Sequence, residues 1–159
     1  SRAGCSRVVG GCVMNGFGLL LLHAASTLFM TGLIWFVQIV HYPLFAGVGA
    51  GAFAAYANEH ARLTTWLVAP PMLVEMATAA LLLWRRPAGV SGASLTWGLG
   101  ALLLVWASTW LLQVPQHQIL SLGFDLEAYD MLVAGNWVRT AVWSLRSLLV
   151  LVLVARAQR

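Results

Sequence analysis

Lysine is missing from this chain altogether, and charge of either sign is scarce. Charged types make up 9% of the 159 residues, with nine arginines and five acidic side chains. A soluble domain carries about 25% charged residues, so a chain this poor in charge can hardly cover a water-facing surface. Cysteine is rare too. Cys5 and Cys12 both precede the first apolar run; they lack the CxxC spacing of a redox or zinc motif, and in a reducing cytoplasm they read as free thiols. No HExxH-type metal motif is present. The net charge of +4 comes from arginines dispersed along the chain, whereas a nucleic-acid binder gathers its basic residues on one face or stripe. Nucleic acid is therefore not an expected partner.

What the chain has in quantity is apolar surface: 60% apolar types and a mean hydropathy of +0.82. The apolar residues fall into four runs, at 17–41, 63–84, 95–113 and 137–155. Each is near the ~20 residues that cross a hydrocarbon core as a helix, and helices are the form in which a spanning segment satisfies its own backbone in lipid. The first run is too long for the ~7–15-residue core of a signal peptide and reads as a retained span. The expected fold class is thus an all-α integral membrane protein, one four-helix transmembrane bundle over residues 1–159. Arg2, Arg7, Arg85, Arg86, Arg156 and Arg159 lie on one side of this arrangement, and Arg62 and Arg139 on the other. By the positive-inside rule both termini are cytoplasmic. Pro70-Pro71 interrupts the second run, removing two backbone donors, so a kink is expected there.

Two charges lie inside apolar runs. Glu75 is about twelve residues into the second and Arg146 about nine into the fourth, depths that differ by about 5 Å at helical rise. Burying either alone is costly, and pairing them removes much of that cost. A Glu75–Arg146 contact is expected. It reads either as a bundle-fixing pair or as a site for substrate, proton or cofactor. Arg139, Trp143 and Arg146 share a helix face by their spacing, and an arginine ladder of this kind suits an anionic or carbonyl-bearing molecule. Glu75, Arg139 and Arg146 are the candidate catalytic residues.

Histidines make a second constellation. His41, His60 and His117 fall at helix ends on the same outer level, with Glu59 beside His60. Imidazoles and a carboxylate from several helix ends can assemble a site for iron, copper, haem or zinc, or they can serve as interfacial hydrogen-bonding groups or acid–base groups. His41, His60, His117 and Glu59 are the candidate metal ligands. His23, at the other end of the first run, reads as a packed hydrogen-bonding residue. Trp106, Trp110 and Gln113 turn one side of the third run toward something wide and partly polar, such as a lipid, a quinone-like ring or another subunit.

The segments His41-Tyr42-Pro43-Leu44-Phe45, Tyr56-Ala57-Asn58-Glu59-His60 and Asn136-Trp137-Val138-Arg139-Thr140 continuing to Trp143 and Arg146 resemble a group of small four-helix bacterial membrane proteins, distantly similar to the anthrone-oxygenase-like family. The resemblance implies a multi-pass protein of the bacterial inner membrane and, through some family members, oxidation of polycyclic phenolic ketones. Two functions from different classes are expected to compete. One is an oxidoreductase acting on an apolar or aromatic substrate near the outer membrane face. The other is a non-catalytic accessory or assembly subunit of a larger membrane complex, or a homo-oligomer. A transporter is a weaker third, since four spans are few and no repeated half is evident.

Overall fold

The computed structural model describes residues 15–159; Arg2, Cys5, Arg7 and Cys12 lie outside them. Every regular element within that range is helical. Four helices, α1 (Gly16–Phe45), α2 (Ala50–Trp84), α3 (Gly92–Leu120) and α4 (Leu126–Ala157), are each long and apolar enough to cross a membrane. Each apolar run of the sequence lies inside one of them. The helices outrun the apolar runs most at one end of the bundle, where α2 begins at Ala50 and α4 at Leu126. The segment 50–57 is rich in alanine, the best helix former, so polar Asn58, Glu59 and His60 prolong the helix without breaking it. Side-chain caps fix the starts of three helices: Asn15 accepts from Gly18 N at 2.7 Å, Ser91 from Ser94 N at 3.2 Å and Asp125 from Ala128 N at 2.8 Å. Each satisfies one of the donors a helix start leaves free.

Proline shapes two of the four helices. α1 passes through a π-helical turn at Val37–His41 and α3 through another at Thr109–Gln113, each just ahead of a proline, Pro43 or Pro115. Tyr42 N bonds to Val37 O and Val114 N to Thr109 O, a spacing of five residues where an α-helix uses four. Such a turn inserts one residue and rotates the side chains beyond it. Both turns bury a glutamine, Gln38 and Gln113. α2, by contrast, runs through Pro70-Pro71 as one helix.

The bundle packs unevenly. α1 lies broadly against α2 and α4, α3 closes against α4, and the α2–α3 seam is the slimmest of the four. Three apolar clusters stack along the axis. Leu20, Leu82, Leu95 and Leu153 belong to the one near Arg85; Met30, Met72, Val105 and Trp143 fill the middle; Tyr42, Phe45, Phe53 and Leu132 occupy what we call the histidine end. Gly89 has φ +74° in the α2–α3 turn, and a side chain there would meet Arg156 O at 2.6 Å. Large apolar side chains also cover the outside of the bundle, among them Trp66 and Leu111, 74% and 72% exposed, as suits a hydrocarbon solvent.

Candidate functional site

Polar side chains run down the inside of this bundle. On α1, His23, Thr27 and Thr31 recur every fourth residue; on α4, Asn136, Thr140, Trp143 and Ser147 follow the same helical period. The stripes face each other: Thr31 Oγ1 lies 2.6 Å from Ser147 Oγ, and Asn136 Nδ2 donates to Gln38 Oε1 at 2.8 Å. With lipid outside, this interior is where hydrogen-bonding groups find partners.

At mid-bundle Glu75 and Arg146 form the expected ion pair, 2.8 Å from Nη2 to Oε1, with side chains 0% and 3% exposed. Arg146 Nε adds a second bond to the same oxygen at 3.3 Å. Thr27 Oγ1 donates to Oε1 at 2.7 Å and Trp143 Nε1 to Oε2 at 3.1 Å, so both carboxylate oxygens are held. Arg146 Nη1 is turned to the Gly98 carbonyl. The histidine of this network has a defined tautomer. Thr78 Oγ1 donates to Val74 O at 2.7 Å and so receives the Nδ1–H of His23 at 2.8 Å; His23 Nε2 is then free to accept from Arg146 Nη2 at 3.3 Å. The space beside this cluster, about 20 Å³ between His23, Gly98 and Arg146, is the size of one water.

Arg139 is separated from Arg146 by the Trp143 ring. Its guanidinium carbon lies over that ring, 5.4 Å from the centroid, while the indole N–H, in the ring plane, is spent on Glu75. The two arginines therefore serve different places. Arg139 is 8% exposed and forms no ion pair with any described residue. Its Nη1 makes two long bonds to neutral amide oxygens, 3.4 Å to Gln113 Oε1 and 3.3 Å to Asn136 Oδ1, and its buried Nε has no partner among the described residues. Gly135 allows this close approach of α4 to the π turn of α3, since a Cβ there would come within 2.9 Å of Gln113 Nε2.

Arg139 borders a cavity of about 720 Å³ in the α2–α3 seam at the histidine end. That volume lies within the ~300–1,000 Å³ of small-molecule sites. Val68, Met72, Leu73 and Trp110 give it apolar walls, and His60, His117 and Gln113 join Arg139 in its polar part. Val68, Ala69, Met72 and Leu73 of α2 line the cavity, whereas Pro70 and Pro71 between them do not. Trp106 also lines the cavity, and its buried indole N–H has no acceptor among the described residues.

The three histidines do come together: His41 and His60 stack, and His117 is tilted against His60. His41 and His60 have ring centroids 4.4 Å apart and planes 18° apart; His60 and His117 are 5.5 Å and 31° apart. Nitrogen lone pairs lie in the ring plane, so parallel rings send them side by side, and a shared ion needs them turned to one point. Glu59 is elsewhere, in an exposed bridge to Arg62 at 2.6 Å. Among the described residues no three His, Cys, Asp or Glu side chains are arranged to hold a metal ion. The expected set of His41, His60, His117 and Glu59 thus does not converge as a group on one metal ion as these side chains stand. His60 Nδ1 lies 3.2 Å from Thr64 Oγ1, and His41 Nε2 is buried without a partner among the described residues.

Missed in the sequence were Thr27 and Thr78 around the ion pair and the bond of Trp143 to Glu75; Trp106 and Gln113, expected to face something wide and partly polar, line the cavity. The first two were findable. In an apolar chain a polar residue every fourth position marks the buried face, and Thr27 is one turn from His23 just as Thr78 is near Glu75. No family profile, curated protein or solved structure gives a significant match to this chain.

Proposed function

We propose that this protein is a multi-pass enzyme of the bacterial inner membrane that draws an apolar, oxygen-bearing ring compound from the bilayer into the α2–α3 cavity. Following the arginine pattern, both termini are cytoplasmic and the histidine end faces outward. The observation that carries the reading is a cavity of drug-like volume with apolar walls, two imidazoles and a buried arginine at one end. In this reading Arg139 holds the substrate oxygen, and strengthens its hold as negative charge develops there. His60 or His117 takes the proton released from the substrate and passes it toward the aqueous face. Glu75 and Arg146 act from behind, fixing Trp143 and the helices around it, since neither has room beside it for more than a water. The resemblance to the anthrone-oxygenase-like family points to oxidation of a phenolic ketone by dioxygen, in which a ring CH2 becomes C=O with one oxygen atom and the other leaves as water.

Purified protein in lipid nanodiscs, supplied with anthrone in air, provides the test. Anthraquinone formation above the empty-nanodisc rate, abolished in Arg139→Gln and reduced in His60→Gln, is the expected result. No turnover in a folded protein that still binds the ring would remove the oxidase assignment. The competing accessory-subunit reading would seat a partner on the apolar outer face beside Trp110, 61% exposed. Co-purification with another membrane subunit at fixed stoichiometry would support it.

A further inference from the structure

We infer that the cavity takes its ligand as an anion: one negatively charged oxygen group, seated against Arg139, on an apolar body. This deepens the proposed function and rests on the cavity being the working site. Arg139 is the one formally charged side chain among the residues lining the cavity. None of the five acidic side chains lines the cavity or pairs with Arg139: Glu75 is bonded to Arg146, Glu59 to Arg62 and Asp125 to the start of α4, and Glu127 and Asp130 form no ion pair among the described residues. A guanidinium 8% exposed, without a counter-charge among the described residues, carries a large desolvation cost that a paired anion offsets.

The hydrogen-bonding inventory points the same way. Arg139 Nε and Trp106 Nε1 are both buried without an acceptor among the described residues, and both side chains line the cavity. Neither group can accept a hydrogen bond. A ligand whose entry opened either donor to the cavity would have to bring acceptor oxygen, and an anionic oxygen would answer the charge as well. A hydroxyl or neutral carbonyl answers only the donors. The apolar remainder of the wall fits the body of a molecule that partitions into lipid. An ionised phenol or enol on a ring and the carboxylate of a fatty acid share this chemistry.

The test compares ligands matched in shape and differing in charge, in a nonionic detergent at pH 7. 2-Hydroxy-1,4-naphthoquinone, ionised there, and neutral 1,4-naphthoquinone are titrated by quenching of tryptophan fluorescence. Laurate and dodecanol are then competed against the ring. An Ala69→Trp variant, which fills the cavity, defines the specific component. The anion of at least one pair should bind roughly tenfold to a hundredfold tighter than its neutral counterpart, the range of a hydrogen-bonded charge. Arg139→Gln should erase that ratio and Arg139→Lys keep most of it. Preference for the ring anion alone assigns the ligand to the phenol and enol class, and preference for laurate alone to the fatty acids. Equal binding of anion and neutral in both pairs, blocked by Ala69→Trp, overturns the anion inference and leaves the cavity as a neutral-ligand site. If neither ring nor chain shows a component that Ala69→Trp removes, the cavity reading itself fails. The wild-type ratios decide the matter even if Arg139→Gln does not fold.

Discussion

Substituting alanine for Glu75 would leave the Arg146 guanidinium buried with a neutral histidine and a carbonyl for company. Breaking a buried pair from one side costs about 3–5 kcal/mol, so Glu75→Ala should unfold well below the wild type in a thermal melt in detergent. Trp143→Phe keeps an aromatic ring near Arg139 but removes the N–H bonded to Glu75 Oε2 together with part of a fully buried ring system. Leaving that oxygen short of a donor should cost about 1–3 kcal/mol, and an unchanged melt would contradict the partition role assigned to Trp143. The pairing of Glu75 with Arg146 was legible because depth along two helices can be counted, whereas the separation of Arg139 from it was not. Spacing puts Arg139 and Arg146 on one face of α4; it does not reveal that an indole stands between them. Nor does it reveal how imidazoles are oriented. His41, His60 and His117 were expected at one level and are found there in contact, but ring orientation, which decides between a stack and a ligand set, depends on the packing of Phe45 and Tyr56 around them.

At the scale of elements, the four apolar runs located the helices, which continue beyond them. Hydropathy reports which residues prefer lipid, while a helix continues wherever backbone propensity and a cap allow, which is how α4 reaches back to Asp125. Removing that cap with Asp125→Ala should cost about 1 kcal/mol, visible as faster amide exchange at 126–130 with the rest of α4 unchanged. The π turns were unreadable for a different reason: Pro43 and Pro115 announce a disturbed backbone, but not whether the helix bends, ends or inserts a residue. Pro115→Ala restores the donor that position 115 lacks toward the Leu111 carbonyl. We expect α3 to regain regular α-helical pairing there and to turn Gln113 away from Tyr42, whose hydroxyl now donates to it at 3.2 Å. Weaker binding of the cavity ligand, by about tenfold if one such hydrogen bond's worth of positioning is lost, would register the change. Undiminished binding would show that the π turn does not shape the site.

Across the whole molecule, an apolar exterior and a polar interior divide the work. Lipid solvates the leucines and tryptophans outside, the α1–α4 polar seam fixes the bundle, and the slim α2–α3 seam leaves space at one end. The proposed orientation rests on arginine placement and has its own check: Cys5 and Cys12 should resist a membrane-impermeant maleimide in intact cells and react after lysis. Reaction in intact cells would reverse the topology and put the histidine end inside. The claim on which most else depends is that the α2–α3 cavity is where a ligand from the bilayer is held. It is tested most directly by photolabelling the protein in native membranes with a diazirine-bearing phenolic ring and mapping the adducts by mass spectrometry. Labels concentrated on 60–73 and 106–118, and competed by unlabelled ring, are the predicted result; labels scattered over the lipid-facing surface of all four helices would contradict it.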